Sequence, residues 1–90
     1  MIINQKILLK FIQTNKNVNW YLISYRYKLS ENFIKEFKDK IDWSYISMHQ
    51  ILSENFIREF QDKVVWYYIS TCQKLSENFK SEFNHKLLYK

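Results

Sequence analysis

Three side chains of this sequence have the chemistry for nucleophilic or soft-metal work: His49, His85 and Cys72. Strong metal signatures pair such residues as CxxC, or set two histidines on one helix face as HExxH, and neither spacing occurs. Arg26, His49 and Cys72 stand 23 residues apart, so a repeating fold would stack them in one column. That column reads as a variable surface position rather than a metal or Cys-His site, and no metal or other cofactor is expected. Ser30, Ser53 and Ser76 each precede Glu-Asn-Phe, which is the pattern of a helix N-cap, a geometry that already uses the hydroxyl. Glu31, Glu54 and Glu77 then fall in a first helical turn, where the helix dipole favours negative charge. Glu36, Glu59 and Glu82 read as solvated-face residues. With no convergent acid, base and nucleophile, an enzyme is not expected.

The elements that carry these residues follow from an internal repeat. Trp20, Trp43 and Trp66 are also 23 residues apart, and the rest of the chain falls into that register as 18–40, 41–63 and 64–86. Residues 1–17 read as a divergent N-terminal capping helix and residues 87–90 as a short exit, all within a single domain. Inside each unit Phe33 and Phe37, Phe56 and Phe60, and Phe79 and Phe83 repeat at i, i+4, giving one apolar stripe per helix. Leu29 and Leu52, just before the caps, can staple onto Ile34 and Ile57. The third unit has Lys80 in place of that isoleucine. A second helix starts at the tryptophan, capped by Asn19 or Asp42, whereas Val65 holds the cap position of the third unit. Two three-turn helices per unit cannot cover their own Trp and Phe, so neighbouring units must bury them. The expectation is an all-α, small helical-repeat, solenoid-like domain of about seven short helices.

Composition agrees. There is no glycine to cradle a phosphate or turn a tight hairpin, and no proline to interrupt a helix. At 90 residues a chain buries only about 60 to 65% of its unfolded surface, so its core must draw on the 3 Trp, 7 Tyr and 7 Phe. A single cysteine rules out an internal disulfide framework and suits a reducing, intracellular setting. Lys6 and Lys10 cut the apolar N-terminus, which does not read as a signal peptide, and no uncharged run is long enough to span a membrane. A soluble, cytoplasmic protein is expected.

The tandem LSENFIxxFxDKxxWxxIS pattern of residues 18–86 resembles short repeats found in proteins of large DNA viruses and of bacteriophages with AT-rich genomes, and the Asn, Lys, Ile, Tyr and Phe bias fits such coding. The resemblance implies a viral or prophage interaction module. It transfers no catalytic residue.

The net charge of +5 invites a nucleic-acid reading, but its distribution weakens it: residues 1–17 carry +3, the three units +2, −2 and +1, and the exit +1. A phosphate-tracking solenoid would repeat a cation in every unit. A local contact remains open through Lys6, Lys10, Lys16, Arg26, Lys28, Lys35 and Lys38. Protein binding is the preferred reading. Residues 20, 23, 24 and 27 share one helix face and 21, 25 and 28 another. The columns that differ between units carry Tyr, Met and Arg, types enriched at interface centres. The candidate patch is Tyr21, Tyr25, Arg26, Met48, His49, Tyr67 and Thr71. The expected role is a phage or viral inhibitor of a host defence factor, such as an anti-CRISPR protein acting on an RNA-guided nuclease. Its partner would then be a host protein or a protein–RNA complex in the host cytoplasm, with direct RNA or DNA binding and end-to-end self-assembly as alternatives.

Overall fold

The structure, a computed structural model, describes residues 5–87; the first residues of the capping segment and residues 88–90 of the exit lie outside the described residues. Seven helices make up the described chain: α1 (Gln5–Thr14), α2 (Trp20–Arg26), α3 (Glu31–Glu36), α4 (Trp43–His49), α5 (Glu54–Glu59), α6 (Trp66–Cys72) and α7 (Glu77–Glu82). The fold is an all-α, small helical-repeat domain. From α3 onward each helix starts 11 or 12 residues after the previous one, and the row extends over 46 × 21 × 19 Å.

Local chemistry sets the helix starts. The Ser30, Ser53 and Ser76 hydroxyls accept from the amides of Phe33, Phe56 and Phe79 at 3.1, 3.1 and 3.2 Å. Asn19 and Asp42 accept from Leu22 and Tyr45, each at 3.0 Å. Val65 offers no side-chain cap, and the Tyr68 amide turns to the Val65 carbonyl instead, at 3.0 Å. These cap residues are extended, with φ between −93° and −70°. Among the described residues no φ is positive. Corners made this way need no glycine.

The helices are shorter than the three turns their sequence suggests, seven residues in the Trp-led set and six in the Phe-bearing set. The cause is visible after α3. Phe37 leaves the helix at φ −109°, ψ 27°, the Lys40 amide tightens onto the Phe37 carbonyl at 2.9 Å, and the Trp43 indole donates to the Lys38 carbonyl at 2.9 Å. Trp66 repeats this on Gln61 at 3.0 Å. α7 ends in the same way without an indole, with Phe83 at φ −111°, ψ 26° and the Lys86 amide on the Phe83 carbonyl at 2.9 Å, so the tight turn at the second phenylalanine is what closes each of these helices.

Each tryptophan packs on the second phenylalanine of its own unit: Trp20 on Phe37, Trp43 on Phe60 and Trp66 on Phe83, with ring centroids 5.0, 5.5 and 5.2 Å apart. Ile34, Ile46, Ile57 and Ile69 are fully buried in one continuous core. The backbones of α2, α4 and α6 approach one another most closely, which puts them on the inner side of the row. The other layer is bridged by long side chains: Lys35 to Glu59 at 3.1 Å, Arg58 to Glu82 at 2.9 Å and Lys63 to Asp39 at 3.6 Å. The inner face is aromatic and the outer one is charged.

Candidate functional site: an aromatic face on joined units

Two fastenings hold successive units in register, and both are built from polar side chains. Buried Gln50 donates from Nε2 to the carbonyls of Ser24 at 3.1 Å and Tyr27 at 2.7 Å, while its Oε1 accepts from the Leu29 amide at 3.0 Å. Gln73 repeats the clasp one unit later on Ser47, Gln50 and Leu52 at 2.8, 2.7 and 3.2 Å. In the other direction Glu31 accepts from the Ser53 amide and hydroxyl at 2.6 and 3.0 Å. Glu54 does the same on Ser76 at 2.6 and 2.9 Å. The Ser76 amide, then its hydroxyl, hold the Glu54 carboxyl below its ordinary value of 4.5. These glutamates therefore do more than complement a dipole: each fastens the cap of the next unit.

The ends depart from this pattern. Tyr27 stands where the later units have the clasping glutamine, and α1 takes over part of the job through Gln5, which reaches the Lys28 carbonyl and the Ser30 amide at 3.3 and 3.4 Å. At the other end Lys80 replaces the buried isoleucine and pairs with Glu77 at 3.7 Å.

On this scaffold the inner face carries a group of touching rings. Tyr21 and Tyr45 share a hydroxyl–hydroxyl hydrogen bond of 2.6 Å with rings 4.5 Å apart and nearly perpendicular. Tyr25 leans on Tyr45 at 5.3 Å and on His49 at 6.1 Å, and His49 stacks on Tyr45 at 5.6 Å with planes 10° apart. The Tyr21 hydrogen bond is the main reason that the Tyr45 phenol is pushed up from 10.0 to about 12. Further along, Tyr67 is exposed and meets Tyr68 edge-on at 5.2 Å.

Of the candidate patch, Tyr21, Tyr25 and His49 thus come together, and Arg26 joins Tyr25 and His49 on the wall of one cleft. Met48 is half-buried. Thr71, on α6, is exposed and returns its hydroxyl to the Tyr67 carbonyl at 2.9 Å. The residue that sequence reasoning missed is Tyr45, the centre of the ring group. The column of Tyr21 holds Ser44, but Tyr21 meets the residue 24 further on, as Lys35 meets Glu59.

The basic candidates separate. Lys6 and Lys10 are exposed on α1 and Lys16 just beyond it, Arg26 and Lys28 lie at the end of α2, Lys35 is ion-paired in the outer layer, and Lys38 is in the turn after α3. Cys72 is exposed beside the Thr71 hydroxyl at 3.5 Å, and His85 faces Phe83 with centroids 6.5 Å apart. Among the described residues no three His, Cys, Asp or Glu side chains gather as a metal site. No helix there is long and apolar enough to cross a membrane.

Compared with protein-family models, curated proteins and solved structures, the chain matches none. Fold and site therefore define its class, an α-helical repeat domain with an aromatic inner face.

Proposed function

We propose that this chain is a non-enzymatic binding protein whose α2–α4–α6 face covers a host protein and inhibits it. The observation that carries the reading is the tyrosine row of that face. Tyr21, Tyr25 and Tyr67 stay 53%, 43% and 59% exposed, whereas Phe33, Phe56, Phe60, Phe79 and Phe83 are buried in the core. Tyrosines fixed by neighbouring rings and by a hydroxyl bond lose little freedom on docking, and such side chains dominate interface energies. The resemblance of residues 18–86 to viral and bacteriophage repeats supports a viral or prophage interaction module, and the role proposed for it is inhibition of a host defence factor. An RNA-guided nuclease, the target of an anti-CRISPR protein, is the leading candidate, met in the host cytoplasm.

The test is capture from host lysate on the full chain, comparing it with a Tyr21→Ala, Tyr67→Ala double variant. Loss of two anchoring tyrosines costs at least about 2 kcal/mol, or roughly thirtyfold in affinity. A partner depleted to that degree in the variant supports the reading. Equal recovery by both, or recovery of nucleic acid alone, refutes it. Direct RNA or DNA binding is a second reading that draws on the exposed Lys6, Lys10 and Lys16; it requires binding to labelled RNA or DNA that weakens steeply with salt. End-to-end self-assembly draws less support, since Tyr27 lacks the clasping amide and Lys80 would set a charge where two units bury isoleucine.

A further inference from the structure

The ends of α2 and α4 enclose a cleft of about 240 Å³ whose walls include Tyr25, Arg26, Lys28, His49 and Ile51. Three of these side chains can present N–H donors, and no carboxylate stands among the described lining residues. Its floor is fixed, because the Gln50 amide is fully engaged by the Ser24 and Tyr27 carbonyls and the Leu29 amide. Those bonds also occupy carbonyls at the end of α2 that would otherwise repel an anion. Ile51 adds an opposite chemistry: it is 82% exposed, at a column where the units on either side have Lys28 and Lys74. A basic cleft with one apolar step on its rim is complementary to a chain that alternates carboxylates with an apolar side chain.

Resting on the protein-binding reading above, we propose that this cleft is the docking site for an acidic segment of the partner protein, with carboxylates on Arg26, Lys28 and His49 and an apolar side chain on Ile51. A single-stranded nucleic acid would bring negative charge too, and the part-exposed Tyr25 ring could take a base, but Ile51 would gain nothing from a phosphate backbone. The exposed isoleucine thus favours a peptide.

The experiment is affinity selection from a random peptide library on the full chain, run in parallel on an Arg26→Ala, Lys28→Ala variant and on Ile51→Ser. All three positions are exposed, and far-ultraviolet circular dichroism checks that the variants fold. The expected result is enrichment of peptides carrying several carboxylates and an apolar residue, with affinity falling at least about tenfold in the double variant and several-fold in Ile51→Ser, and weakening as salt rises. Enrichment without acidic bias, enrichment untouched by the variants, no enrichment at all, or displacement of selected peptides by single-stranded RNA each overturns the proposal. Lysate capture separates the two readings. If the cation variant keeps a partner that Tyr21→Ala, Tyr67→Ala loses, this cleft is wrong and the aromatic face stands. If both keep it, both readings fall.

Discussion

Replacing Gln50 by leucine tests the clasp most directly. The side chain is 4% exposed and makes three bonds, to the Leu29 amide, the Ser24 carbonyl and the Tyr27 carbonyl, at 3.0, 3.1 and 2.7 Å. Leucine nearly fills the same volume, so the perturbation is chemical rather than a cavity. It strands three backbone groups, each costing about 1 to 3 kcal/mol where water does not reach, and regains about 2 kcal/mol through apolar burial. The net loss is about 4 kcal/mol at the middle of that range. That is a large share of the roughly 5 to 13 kcal/mol available to a domain of this length, and it corresponds to a fall of about 16 to 32 °C in melting temperature. Gln73 makes the equivalent bonds from a half-buried site. Water can replace part of them, so Gln73→Leu should cost only about 1 to 2 kcal/mol. Urea unfolding followed by circular dichroism measures both. If Gln50→Leu stays within about 1 kcal/mol of the parent, or if Gln73→Leu is the more damaging, the clasp does not hold the units together as argued.

Three further outcomes are expected. Val65→Asp gives α6 the cap that Asp42 gives α4 and frees Tyr68 from its substitute bond, raising stability by about 0.5 to 1 kcal/mol; an unchanged or lower melting midpoint counts against the shared cap frame. The depressed Glu54 carboxyl stabilises in full above its ordinary value of 4.5 and loses that contribution as pH falls through its lower folded value. Glu54→Gln should therefore melt earlier than the parent at neutral pH, with the gap shrinking as pH falls below 4.5, while Glu77→Gln, at a carboxylate 91% exposed, should change little across that range; a pH-independent gap refutes the assignment. Tyr21→Phe should return the Tyr45 phenol from about 12 toward its usual range in an ultraviolet titration. Because that pKa is raised, its stabilisation is present in full below the unfolded value of 10.0 and is lost as pH climbs to about 12; no change in the titration means that the hydroxyl bond is not the cause.

Much of the fold was legible because its signals are local. A cap hydroxyl acts on an amide three residues ahead, and phenylalanines at i, i+4 share a face whatever surrounds them, so seven short helices could be read from the chain. Helix length was less legible, since the i, i+4 phenylalanine pattern does not mark the tight turn that closes these helices at Phe37, Phe60 and Phe83. The clasp escaped because a lone glutamine reads as solvated, although the column Tyr27, Gln50, Gln73 held the clue that the first unit differs. Tyr21 and Tyr25 could be picked out by their place on the exposed side of α2. Tyr45 could not, because the one-residue advance by which Tyr21 meets it is a property of how the two units pack and is not written in either one.

The two fastenings run in opposite directions, glutamine reaching back and glutamate reaching forward, so every interior unit carries one half of each joint on either side. A tandem duplication of a 23-codon block within the gene would insert a unit already equipped to grip both neighbours. The number of units could in this way change by whole steps, while the glutamines and glutamates that seal the joints need no change of their own.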